Sequence, residues 1–403
     1  MGNILTYADS TRRRSFQELP FSCVDSLILS EVSYYNFENS PFCASDFSVS
    51  LSQWFCGDGA GRTLRGMITA ENDCRLMASL AEGGRHGDLR ACGYMSVLDR
   101  EQTQQFSAIT FAIEPGTYYI AFRGTDNTVV GWKEDMALYY LPEIPAQAAA
   151  RDYAIEIMSR IPGRFYLGGH SKGGNLAIYC AAHLPEHLQE RLITVFDHDG
   201  PGFPTHFYEQ RGYQAIAPKI YKTLPRSSVI GLLLEDGTGY HVVDSSAEAI
   251  LQHDPFTWLV EGDGFISLPE VDSFALHVDL ALTQWTEGME PETRKKLVDL
   301  IFDVIFSTGI RAFVEMSDGT IRHVSAMMNY LKETTAEEKR LILDSVKRLL
   351  TISAGEAHEM LDEELERKRQ WLHQELEKSR QIVEQMIERK TEGHGSGHNK
   401  NNQ

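Results

Sequence analysis

The sequence predicts an α/β fold, with a mostly parallel central sheet and a helical extension toward its carboxyl end. Three observations carry that reading. Short apolar, β-branched and aromatic runs alternate with helix-patterned segments between residues 106 and 234, a strand passes through a glycine-rich turn into a helix at residues 165–182, and the pattern beyond Trp258 is helical.

Taken in order, residues 16–37 place Val24, Leu27, Ile28 and Val32 on one helical face, with Pro20 expected to start the helix. Residues 38–94 hold glycines at 57, 59 and 61 and a helical stretch over Glu71–Glu82. They are read as a lid or insertion over a site, with a packed loop as the alternative. Phe106–Ile113 and Thr117–Phe122 are strand-like runs flanking the turn Glu114-Pro115-Gly116. Residues 145–158 are expected to be helical, Phe165–Leu167 a short strand, and Asn175–Ala182 again a helix. Leu192–Phe196, Ile216–Leu224 and Val229–Leu234 continue as buried runs, and strands interleaved with helices imply a sheet covered on both faces. Pro291–Phe306 and Ala336–Leu350 are further expected helices.

A last helix is expected over Glu356–Lys390, where Leu361, Leu372, Val383 and Leu365, Leu376, Ile387 form two series repeating every eleven residues. So narrow an apolar stripe points to self-association or to docking on a protein partner, with packing back onto residues 291–350 as the alternative. The organisation read from these patterns is a main domain over 1–310, a helical connector over 311–355, a long amphipathic helix with coiled-coil character over 356–390, and a disordered tail over 391–403.

Composition narrows the function. A chain of 403 residues that is 42% apolar can bury a substantial core. The formal charge is -19, and residues 1–330 hold 42 acidic against 25 basic groups. Such a surface repels polyanions, so no nucleic-acid partner is expected, and the triplet Arg12-Arg13-Arg14 is short enough to be ordinary surface. The cysteines at 23, 43, 56, 74, 92 and 180 show no C-x-x-C spacing, which argues against a zinc knuckle or a disulfide framework, and Cys180 reads as a buried small hydrophobe. No run is long and apolar enough to cross a bilayer, and no basic start precedes an apolar segment; the expected location is the cytoplasm.

The chemistry-bearing motif is Gly169-His170-Ser171-Lys172-Gly173, which fits G-x-S-x-G between a strand and a helix. A serine at so tight a turn needs neighbours without Cβ two positions away on either side. Its hydroxyl then projects from the turn, where the helix amino end favours developing negative charge. A phosphate-binding reading of the same glycines fails, since neither G-x-G-x-x-G nor G-x-x-x-x-G-K-[ST] is present. Ser171 is therefore the candidate nucleophile of a serine hydrolase.

Such a serine needs two backbone donors for the oxygen of a tetrahedral intermediate. Lys172 would supply one. The strand ending at Phe122 runs into Arg123-Gly124-Thr125-Asp126, where the Thr125 amide would supply the other, with the Thr125 hydroxyl adding a hydrogen bond. Arg123 is expected to pair with Asp135 behind that loop.

Here the sequence resembles the class 3 lipases, whose oxyanion loop reads F-R-G-[ST] ahead of a Trp and an Asp, as in Phe122-Arg123-Gly124-Thr125 with Trp132 and Asp135. It is closer still to an uncharacterised bacterial family related to those lipases, domain of unknown function 2974. The resemblance rests on Leu19-Pro20-Phe21, Val24-Asp25, Gly169 through Ala177, Asp199-Gly200-Pro201-Gly202-Phe203, and Gln252-His253-Asp254-Pro255 with Trp258, and it spans roughly residues 15–310. It implies an α/β-hydrolase fold, a Ser, Asp, His triad in that chain order, and no cofactor or metal.

In class 3 lipases the acid follows the strand that aligns with Lys219–Leu224, but here Lys222 through Ser228 contains no carboxylate. Asp199, at the end of the preceding strand and ahead of a glycine turn, is the preferred acid, with Asp197 as the alternative. For the base, His253 follows an apolar helix-like run and precedes a loop, whereas His241 reads as the start of a strand. His253 is preferred and His241 is the alternative. His170 flanks the nucleophile, and the elbow points its side chain away from Oγ. Together these residues predict cleavage of carboxylic esters, of small molecules or lipids, through an acyl-enzyme. The competing reading is a weak or inactive hydrolase-fold scaffold that acts through its terminal helix.

Overall fold

Eight strands form one sheet in the computed structural model, which describes residues 2–57, 70–126, 128–234, 239–307, 334–345 and 347–348. The chain divides into two units, residues 1–349 and 350–403, and the second, with the helix expected over Glu356–Lys390 and the tail from Thr391, lies outside the described residues.

The strands are β1 (Arg90–Asp99), β2 (Gln104–Glu114), β3 (Thr117–Phe122), β4 (Arg164–His170), β5 (Leu192–His198), β6 (Ile220–Pro225) and β7 (Tyr240–Val243). Two short ones follow, β8 (Val260–Glu261) and β9 (Gly264–Phe265), which pair with each other, and then β10 (Ser267–Leu268), which completes the main sheet beside β7. The sheet order is β1-β2-β3-β4-β5-β6-β7-β10. β3 through β7 run parallel, while β1, β2 and β10 are antiparallel to their neighbours. This is an α/β-hydrolase fold, with the mostly parallel sheet that the sequence predicts.

The parallel strands are laid down in one direction, so right-handed crossovers put every connecting helix on one face. Those helices include α5 (Pro145–Arg160) and α6 (Lys172–His183), with α4 (Val129–Ala137) ahead of them. Their face buries Ile120, Phe122, Phe165, Leu167 and Val195, whereas alternate residues Tyr119, Ala121 and Phe196 point to the other side. That second face would stand in water without the chain's amino-terminal part. α1 (Ile4–Thr11), α2 (Cys23–Val32) and α3 (Ala70–Ala81) cover it, and Phe42, Leu51, Phe55, Leu76 and Leu80 pack into the same core. The described portions of residues 38–94 thus include buried core and the edge strand β1, which the sequence pattern left illegible. α7 (Ser273–Glu287) starts with Ala275 in a small core beside Leu224 and Val242, and Val298 and Phe302 of α8 (Pro291–Ser307) pack on Val129 of α4. No helix among the described residues is long and apolar enough to cross a membrane.

Three local expectations change. α2 begins at Cys23 rather than at Pro20, because Ser22 and Asp25 form a capping box that satisfies the first free amides. Val229–Leu234 is a turn, closed by Leu233 N–H on Ile230 O at 3.1 Å, although Leu232 is buried as its apolar character requires. The chain after Trp258 first makes β8, β9 and β10 before turning helical.

Two buried polar clusters bind the amino-terminal layer. Arg85, on the one-turn helix Gly84–Gly87, grips Asp25 with Nε to Oδ1 at 2.8 Å and a second nitrogen to Oδ2 at 2.8 Å, while His86 Nε2 lies 2.7 Å from Oδ1. Burial pushes the Asp25 carboxyl up, but the hydrogen bonds from Arg85 and His86 outweigh it and hold the group well below the usual carboxylate range. Nearer the site, His198 on β5 bonds Ser26 of α2 at 2.9 Å and Thr223 of β6 at 2.8 Å, and the Tyr119 hydroxyl lies 3.0 Å from Ser26 and 2.9 Å from Ser30.

Asp25→Ala strands the Arg85 charge in the core, so it should destabilise the protein by about 3–5 kcal/mol in urea unfolding. The histidines give a pH signature. Burial lowers the His198 pKa to about 3, so between pH 6.5 and that value the unfolded chain binds a proton that the folded one refuses. Stability should therefore fall on acidification by about 1.4 kcal/mol per pH unit from this group, and His198→Gln should remove that part of the slope.

Candidate active site

β4, β5 and β6 end side by side, and the segments that leave their carboxyl ends meet at one place. Parallel α/β sheets commonly gather their chemistry at that edge.

Ser171 lies between β4 and α6 with φ 57° and ψ -133°, a region that costs a non-glycine residue of order 1–3 kcal/mol. Its amide donates to His198 O at 2.8 Å, which locks the turn onto β5. α6 sits hard against the sheet: a Cβ on Gly173 would overlap the Phe122 carbonyl, and one on Gly174 would overlap the Asp197 carboxylate. Among the described residues the half-buried Ser171 side chain makes no hydrogen bond.

Asp199 follows β5 with φ 56°, which breaks the strand's alternation. Its Oδ2 lies 2.6 Å from His253 Nδ1, and its Oδ1 accepts from the Ser228 hydroxyl. Asp199 is fully buried, whereas the His253 side chain stays 27% exposed. With Nδ1–H donating to the carboxylate, Nε2 of His253 is the lone-pair nitrogen. The segment without a carboxylate thus still reaches Asp199: Ser228, in the turn after β6, donates to it from the neighbouring strand.

The alternatives sit elsewhere. Asp197 points toward α6, accepts the Gly200 amide at 2.8 Å and lies 3.4 Å from Lys222 Nζ. His241 is exposed on β7 and stacks on Tyr221 with centroids 4.5 Å apart. The structure brings Asp199, and neither of these, to His253.

The loop bearing His253 is held at three points. His170 Nε2 donates to the His253 carbonyl at 2.9 Å, Trp258 Nε1 donates to the Gln252 carbonyl at 2.8 Å, and Gln252 Oε1 accepts the Ser227 amide at 2.8 Å. His170 continues inward, with Nδ1 3.3 Å from the Tyr34 hydroxyl and 3.7 Å from Glu31 Oε1. Burial holds His170 well below its ordinary pKa, with His253 and His198 adding to the shift, and burial with Asp73 and Asp254 holds Glu31 well above its own. The direction of the His170 shift keeps its imidazole neutral at neutral pH. On the acid side, Asn175 Nδ2 donates to Pro201 O and Gly202 O, each at 3.0 Å, and its Oδ1 accepts from Gln147 at 2.9 Å.

Thr125 and Lys172 flank the serine across the Gly124–Gly173 contact. Among the described residues neither backbone amide is engaged in a hydrogen bond. The Thr125 hydroxyl, expected to add a hydrogen bond of its own to the oxyanion, instead donates to Asp135 Oδ2 at 2.6 Å. Arg123, expected beside Asp135, reaches Asp126 Oδ2 at 3.3 Å. Asp135 keeps 27% of its side chain exposed while its Oδ1 is enclosed, and burial lifts its pKa to about 6 against the opposing pull of Lys172 and Thr125. The buried Lys172 ammonium meets Glu134 Oε2 at 2.9 Å. Sequence reasoning overlooked Gln105, Glu134, Gln147 and Ser228 as site supports, since none belongs to a recognisable motif. Among the described residues no cluster of His, Cys, Asp and Glu is arranged to hold a metal.

Solved lipases resemble the chain at low identity. M37 lipase is 13% identical with a TM-score of 0.33, over 51% of this chain and 68% of that one. Rhizomucor miehei lipase in its propeptide complex is 16% identical with a TM-score of 0.29, over 42% and 66%. A fungal lipase in an inhibitor complex is 17% identical with a TM-score of 0.28, over 39% and 65%. The chain thus spans about two thirds of the length of each. No curated protein matches it. The Mbeg1-like family model matches residues 80–303, more than half of the sequence, and the chain belongs to that lipase-like family.

Proposed function

We propose that this protein is a serine hydrolase that cleaves carboxylic esters through an acyl-enzyme. The observation that carries the reading is the buried Asp199 carboxylate on His253 Nδ1 at 2.6 Å, beside a serine held at φ 57°.

In this reading Ser171 Oγ attacks the ester carbonyl carbon as His253 Nε2 takes its proton. The oxygen that gains charge is held by the Thr125 and Lys172 amides at the amino end of α6. Collapse expels the alcohol, which receives the proton from His253, and water repeats the sequence to release the acid. Asp199 keeps the imidazole in the required tautomer and stabilises its cation, while the Ser228 hydroxyl holds the carboxylate from behind. The substrate class is a small-molecule or lipid ester. An ester chain-length series separates the two, since a maximum at two to four carbons counts against a lipase.

Ser171→Ala should abolish turnover of short p-nitrophenyl esters and labelling by a fluorophosphonate while the protein melts normally. An unlabelled wild-type serine would favour the scaffold reading instead. Asp199→Asn should lower kcat roughly 10⁴-fold, because the amide favours the wrong imidazole tautomer. His253→Ala should be comparably impaired and His241→Ala should match wild type, and equal losses in the two histidine variants would refute the assignment of the base.

A further inference from the structure

We propose that Gln105 and the Lys172 ammonium are positioning residues that aim the Gly124–Thr125 peptide at the developing oxyanion, an inference that rests on the ester-hydrolase reading of the site. The Gly124 carbonyl and the Thr125 N–H belong to one peptide unit, and in a trans peptide they point in opposite directions. Whatever grips the carbonyl therefore directs the N–H. Gln105, fully buried on β2, donates from Nε2 to Gly124 O at 3.4 Å.

A glutamine amide can face either way, and Lys172 decides which. Its Nζ lies 2.6 Å from Gln105 Oε1, and an ammonium only donates, so Nε2 is the end left for Gly124. Nζ also donates to Gln105 O at 3.0 Å and to Glu134 Oε2 at 2.9 Å. Glu134 accepts the Gln105 amide at 3.0 Å and the Ala146 amide at 2.8 Å, which fixes the carboxylate that fixes the lysine. Gly131 makes room, since a Cβ there would stand 3.0 Å from Gln105 Oε1.

Lys172 thus supplies one amide to the oxyanion site and, through its side chain, orients the other. Burying an ammonium and a carboxylate is costly, and apolar side chains of similar volume often stabilise a core as well or better. An ion pair in this position is explained by its effect on the Gln105 amide.

The test uses the full chain, a short p-nitrophenyl ester and an alkyl boronic acid, which forms a tetrahedral adduct on the serine. Gln105→Met removes the donor at similar volume. Gln105→Glu keeps a partner for the ammonium while removing the donor, and Lys172→Met with Glu134→Gln removes both charges. In each variant that melts near the wild-type temperature, kcat should fall about 10–100-fold with KM little changed, and boronate affinity should fall in parallel. Wild-type kcat and boronate affinity in a folded Gln105 variant would overturn the proposal, as would a loss confined to KM. If Ser171→Ala turns the ester over as fast as wild type, the hydrolase reading itself falls and takes this inference with it. An active wild type and a dead Ser171→Ala beside unaffected Gln105 variants would sink the positioning role alone.

Discussion

The close approach of α6 to the carboxyl edge of the sheet constrains everything around it. Gly173 and Gly174 carry no side chains in the helix's first turn, so the helix backbone reaches the Phe122 carbonyl and the Asp197 carboxylate. With the helix that near, the chain has no length to relax in, and Ser171 takes up a backbone conformation that it would otherwise avoid. The same contact brings the first amide of α6 beside the Gly124–Thr125 loop. A larger residue at 173 or 174 would push the serine and the Lys172 amide together away from the Thr125 amide.

Around that contact the site is built from segments distant in sequence, each fixed by hydrogen bonds to backbone. The loop after Asp199 is tied to α6 by Asn175, and the loop bearing His253 to β4 by His170 and to the turn after β6 through Gln252. Such bonds hold the peptide itself, which leaves the His253 ring to meet Asp199. The carboxylate has a support of its own in Ser228. The strand after which class 3 lipases carry their acid here delivers a hydroxyl to an acid one strand away.

The amino-terminal layer is part of this arrangement because the sheet's topology leaves one face uncovered. α2 fills that face and also carries Ser26, Glu31 and a following Tyr34 to the underside of the site, where they meet His198 and His170. Both imidazoles are neutral at physiological pH because they are buried without a strong anionic partner. Neutral rings can bridge the layers without burying a charge there.

Patterns that repeat within a few residues were legible from the sequence alone: the strand, glycine turn and helix at 164–183, the β2–β3 hairpin, α5, and the elbow serine. They follow from local periodicity and from the steric demands of one tight turn. Asp199 and His253 were preferred over Asp197 and His241, but the choice needed the sheet, because whether alternation persists past His198 depends on what packs there. Val229–Leu234 misled because an apolar run records burial and not extension. The helix expected over Glu71–Glu82 appears as α3, whereas β1 was illegible because its burial does not alternate cleanly, and the residues around Leu51 because they pack in a core assembled from distant segments. Gln105 illustrates the limit: polar and in a strand, it gains a role only when folding brings Lys172, Glu134 and Gly124 around it, since a hydrogen bond between distant segments leaves no spacing in the sequence.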